Sequence, residues 1–80
     1  MMLKLRILNI PGFIKTINSC KGRILKLDSD GNKVNIKGQI QIQKEMENQY
    51  KTNGNFLPIS LNFEKPEDYL SVVYYYIGDC

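Results

Sequence analysis

The sequence predicts an α+β fold, an open-faced β-sandwich of order βαββαβα in which a four-stranded, mainly antiparallel sheet carries its helices on one face. Three observations lead there. Strand-like runs alternate apolar and polar residues one by one, which implies a sheet buried on one side only. Helix-like runs between them open on Pro11 and Pro66 and close near Gly22 and Gly78. A dense turn signal, Asp28-Ser29-Asp30-Gly31-Asn32, joins two short apolar runs as a hairpin.

Each element follows in order. Leu3, Leu5 and Ile7 alternate with Lys4, Arg6 and Leu8, a first strand with a basic outer face. Phe13, Ile14, Ile17 and Cys20 fall at helical spacing over 11–21, with Gly22 placed for a left-handed cap. Arg23 to Leu27 and the alternating Val34 and Ile36 form the hairpin. Over 40–52 two periods compete, since Ile40 and Ile42 continue the strand alternation while Ile42, Met46 and Tyr50 lie one helical turn apart. Gly38 and the run of Gln, Lys, Glu and Met favour the helix. Leu57, Ile59, Leu61 and Phe63 then give a last strand over 56–63, and Leu70, Val73, Tyr74 and Ile77 give the apolar stripe of a helix opening at Pro66. Phe13, Ile17, Leu25, Leu27, Val34, Ile59, Leu61, Leu70 and Val73 are expected to share the core.

Eighty residues fill one domain, 1–80, because so short a chain cannot divide its buried surface between two cores. Apolar residues at 42% and charged residues at 24% are globular values. No apolar run approaches the roughly 20 residues of a membrane span, and the opening Met1-Met2-Leu3-Lys4-Leu5-Arg6 lacks the apolar stretch of a secretory signal. A cytoplasmic protein is expected, with Cys20 and Cys80 as free thiols and Cys80 exposed.

Histidine is absent, which removes the commonest general base and most zinc ligand sets. The loop from Asp28 resembles the opening of a calcium loop, yet its sixth and twelfth places hold Lys33 and Gln39 instead of glycine and glutamate, so a hairpin turn is the expected reading. Cys20 falls near a helix C-terminus, where the dipole opposes a thiolate. No enzyme activity, metal or cofactor is expected.

Charge is uneven. Residues 1–44 carry nine basic and two acidic side chains, and residues 45–80 carry two basic and six acidic ones. Lys4, Arg6, Lys15, Lys21 and Arg23, with Lys26 and Lys37, form a candidate basic patch. Nucleic-acid binding through it is disfavoured, since neither a recognition helix nor an aromatic strand motif accompanies these residues. The run Tyr74-Tyr75-Tyr76 points instead to a protein contact. If Leu70, Val73 and Ile77 face the core, Tyr69 and Tyr76 share a flank and Tyr75 is the ring most exposed, while Tyr74 widens the core. Tyr69, Tyr75 and Tyr76 are therefore the candidate contacts with a protein partner or a second copy of the chain.

The stretch FIKTINSCKGRILKLDSDGNKVN, Phe13 to Asn35, and the stretches LPISLNF and KPEDYLSVVYYYIG resemble the histidine-containing phosphocarrier family, HPr-like proteins of bacterial sugar transport, and in particular their small histidine-less relatives in Firmicutes. The resemblance covers nearly the whole chain and implies the same fold. The family's phosphorylated histidine opens the first helix, where this chain has Ile10-Pro11-Gly12-Phe13, and its regulatory serine opens the second, where this chain has Lys37-Gly38-Gln39. Neither function transfers. The expectation is a non-enzymatic protein-interaction or regulatory domain, with a small inhibitor from a phage or mobile element second and a weak nucleic-acid binder third.

Overall fold

The computed structural model describes residues 2–78. Seven elements follow in the expected order: β1 (Met2–Ile7), α1 (Ile10–Asn18), β2 (Ile24–Leu27), β3 (Lys33–Asn35), α2 (Ile40–Thr52), β4 (Leu57–Phe63) and α3 (Pro66–Gly78). The strands form one antiparallel sheet of order β1-β4-β2-β3, so the last strand made lies between the first and the second. Cys80, read from sequence as an exposed thiol, lies outside the described residues. No described helix is long and apolar enough to cross a membrane.

Alternation decides which face of the sheet is buried. Leu5 and Ile7 of β1 stand opposite Ile59 and Leu57 of β4, and all four are buried with Leu61 and Phe63 against the three helices. Met2, Lys4 and Arg6 point the other way, to an open face shared with Pro58, Ser60 and Asn62. Pro58 does not interrupt the ladder with β2, because β2 ends opposite Ser60.

The same register corrects part of the expected core. Ile24 pairs with Phe63 and Lys26 with Leu61, which puts Ile24 and Lys26 on the helix side and Leu25 and Leu27 on the open face, half-buried. With three apolar residues in four, β2 has no alternation of its own, and its phase is set by Ile24 filling the core opposite Phe63. Val34 does face the helix side, opposite Lys26, but on the short edge strand it stays exposed.

Side-chain hydrogen bonds fix the ends of α1. Asn9 caps it by accepting from the Gly12 N–H at 3.1 Å, and Ser19 Oγ donates to the Lys15 carbonyl at 2.8 Å. The helix thus ends at Asn18, three residues before the expected limit. Gly22 is not the left-handed cap expected of it, since its backbone φ is not positive. It is small for another reason. A Cβ there would lie 3.1 Å from Lys65 Cγ and 3.3 Å from Asp68 Oδ2.

Over 40–52 the helical period wins. Met46 is buried, Ile42 and Tyr50 pack against the core, and Gln43 is buried with its amide donating to Asn18 Oδ1 and the Ile36 carbonyl, both at 2.8 Å. The turn between β2 and β3 uses Asp28 as its clasp, the carboxylate accepting from the N–H groups of Asp30 and Asn32 at 3.0 and 2.9 Å.

Candidate functional site

α3 is turned about its axis from the expected phase. Its buried residues are Asp68, Val72 and Tyr75, flanked by the partly buried Tyr69 and Tyr76. Leu70, expected in the core, is 48% exposed, Ile77 is 78% exposed, Tyr74 is 70% exposed, and Val73 is only half-buried. Both sides of α3 are apolar, so its own periodicity does not choose between them. A long-range contact chooses. The Asp68 carboxylate accepts from the N–H of Lys21 at 2.9 Å and of Gly22 at 2.7 Å, which locks this side of the helix inward.

The tyrosines change places accordingly. Tyr75, expected to be the most exposed, is 5% exposed, its ring tilted against Phe13 at 6.0 Å and its hydroxyl donating to the Asn9 carbonyl at 2.6 Å. Tyr69 stands edge-on to Phe63, ring centroids 5.6 Å apart, and the Tyr76 hydroxyl accepts from the Arg6 N–H at 3.3 Å. Tyr74, expected to widen the core, is the ring that faces solvent. Leu70, Tyr74 and Ile77, at positions i, i+4 and i+7, make one continuous outer stripe beside Val73.

The expected basic patch divides among three surfaces. Lys4 and Arg6 lie on the open face of the sheet, where the Arg6 guanidinium sits 5.1 Å from the centre of the Phe56 ring. Lys15 lines a groove of about 480 Å³ between α1 and α3, with Asn9, Thr16, Ser19 and Ser71. Lys21 and Arg23 lie at the far end of the molecule, where three turns meet around a cleft of about 490 Å³ that Lys37 and Lys65 also line. Arg23 is bound to Glu64, its Nε donating to Oε2 at 2.9 Å and its backbone N–H to Oε1 at 3.0 Å. Those bonds raise the guanidinium's pKa and lower that of the Glu64 carboxyl.

On the wall of the α1–α3 groove, burial pushes the Cys20 thiol up to about 11, and the neighbouring Asp68 carboxylate adds to it. Cys20 is accordingly a thiol, not a thiolate, at neutral pH. Among the described residues no group of three or more cysteine and carboxylate side chains could hold a metal ion.

Lys65 is the residue that the sequence reading missed. It stands more than forty positions from Lys21, in the acidic half of the chain, and only the contact of the β4–α3 turn with Gly22 brings it into the cleft. No family model, no curated protein and no solved structure matches the chain.

Proposed function

We propose that this is a non-enzymatic protein-binding domain that docks through the outer stripe of α3. The observation that carries the reading is a helix apolar on both sides, with Leu70, Tyr74 and Ile77 standing in solvent on the side away from the core. A helix apolar all round belongs in a buried setting. Contiguous exposed apolar patches of roughly a few hundred Å² are often functional, and Leu70, Tyr74 and Ile77 form such a contiguous patch.

Its chemistry describes the occupant. Glu67 borders the stripe in the first turn of α3 and the last turn carries no cation, so the matching surface is an apolar groove on another protein, rimmed by a basic side chain. A second copy of the chain fits less well, because obligate homodimer interfaces run to about 1,000 Å² or more from each partner, whereas transient contacts between different proteins form on smaller patches. The lack of histidine and the protonated Cys20 favour binding over catalysis. The βαββαβα order, with all helices on one side of the sheet, supports the phosphocarrier-like resemblance as one of fold, and Ile10-Pro11-Gly12-Phe13 supports the loss of phosphoryl transfer.

The test is a photo-crosslinking residue at position 74, read by mass spectrometry, beside capture by immobilised domain. Crosslinks to one protein are expected, with capture falling at least about tenfold in a Tyr74→Ala, Ile77→Glu variant, the loss typical of a central aromatic anchor. Equal capture by the variant would reject the stripe. A dimer in sedimentation that the same variant abolishes would assign the stripe to a second copy instead.

A further inference from the structure

The cleft at the turn end differs in chemistry from the α3 stripe and is independent of it. It gathers Lys21 and Arg23 from the α1–β2 turn, Lys37 from the β3–α2 turn and Lys65 from the β4–α3 turn, with Glu64 the one carboxylate in its lining, a formal +3. Arg23 pairs with Glu64, whereas no salt bridge engages Lys21, Lys37 or Lys65 among the described residues. These three lysines thus line one cleft, and the buried Asp68 carboxylate behind it, held by the Lys21 and Gly22 N–H groups with Lys37 nearby, offsets part of their charge.

The walls are fixed from within. Asp68 holds the Lys21 and Gly22 N–H groups, Glu64 holds that of Arg23, Asn35 Oδ1 accepts from Lys37 at 3.1 Å and Asn18 Oδ1 accepts from Gly38 at 2.8 Å. Every one of these backbone donors is already used, so recognition falls to the lysine side chains. Lysine recognises anions as a compact point charge, a mode suited to phosphate.

We propose that this cleft binds a phosphate group, either free or carried by a phosphorylated protein. A phosphate monoester brings about −1.5 to −2 at neutral pH, a closer match to three lysines than the single charge of a carboxylate. A nucleic-acid backbone fits less well, because it needs a continuous track of cations, and Lys4 and Arg6 stand on the open face of the sheet while Lys15 stands in the α1–α3 groove. The cleft, about 490 Å³ and open to solvent, has room for a phosphate together with part of the molecule that carries it.

Titration of the ¹⁵N-labelled domain with inorganic phosphate, and separately with a phosphoserine peptide, at ionic strength matched with chloride, tests this. Saturable shifts are expected at Lys21, Gly22, Arg23, Lys37, Gly38 and Lys65. Lys37→Ala and Lys65→Ala should each weaken binding by roughly three- to tenfold, and Glu64→Gln, which frees Arg23 and removes the opposing charge, should tighten it by a similar factor. Tighter binding of the peptide than of inorganic phosphate identifies a phosphorylated protein as the source, and equal binding identifies the free anion. Shifts that never saturate, wild-type affinity in both lysine variants, or equal affinity for a peptide with glutamate in place of phosphoserine would each overturn the proposal, as would an oligonucleotide that binds more tightly through Lys4 and Arg6.

Discussion

At the scale of single residues, Asp68 carries the largest electrostatic demand. It is 2% exposed, and a buried carboxylate is tolerated only when it is hydrogen-bonded or paired. Burial pushes its pKa up, but the Lys21 and Gly22 N–H groups, with Lys37 and the Cys20 thiol nearby, outweigh this and leave it below the ordinary carboxyl value. A depressed folded value means that the stabilisation is complete above the unfolded pKa of about 3.9 and is lost as pH falls through the folded value. Asp68→Asn offers one acceptor where two are needed, and should cost about 1.5–3 kcal/mol at pH 7. The gap between variant and wild type in urea unfolding should then narrow below about pH 4. A gap that stays constant to pH 2 would show that the charge of Asp68 is not its source.

For the elements, residue order along the chain determines what forms more readily than which way it faces. α2, β4 and α3 begin and end where caps, prolines and alternation place them, because those signals are local. Facing is decided by distant partners wherever an element is apolar on both sides. β2 takes its phase from Phe63, and α3 takes its phase from Lys21 and Gly22, which it meets across nearly fifty residues. Asp68, Val72 and Tyr75 also fall at helical spacing, but an acidic residue at the head of a stripe is compatible with burial only where the fold supplies its two N–H donors. The candidate sites divide the same way: Lys21, Arg23 and Lys37 were visible as cations, while their union with Lys65 needed the fold. Neighbouring tyrosines on α3 should therefore respond in opposite ways. Tyr75→Ala removes a core ring together with its bond to Asn9 and should cost about 3–5 kcal/mol, whereas Tyr74→Ala should change stability by less than about 0.5 kcal/mol. Chemical denaturation of the two variants checks both, and a larger loss for Tyr74→Ala than for Tyr75→Ala would mean that α3 is turned the other way.

The whole molecule rests on one core closed by β4. Leu61 is fully buried beneath the helices, between Leu3 of β1 and Lys26 of β2, and Leu61→Ala should cost about 2–5 kcal/mol, read as a lower urea midpoint. An unchanged midpoint would mean that this position is not in the core. The placing of β4 between two earlier strands also has a consequence for the order in which the domain can be made. A ribosome adding about 5–20 residues each second has finished β1, the β2–β3 hairpin and two helices before Leu57 exists, and β1 cannot yet join the hairpin in one sheet. Throughout that interval Leu3, Leu5 and Ile7 lie on a strand with no neighbour, open to pairing with another nascent chain. Synthesis of seven residues, Leu57 to Phe63, supplies the one partner that β1 and β2 both lack and turns separate pieces into a sheet. A nascent chain halted at Asn55 should thus be digested rapidly by protease and held by chaperones, and one extended past α3 should resist.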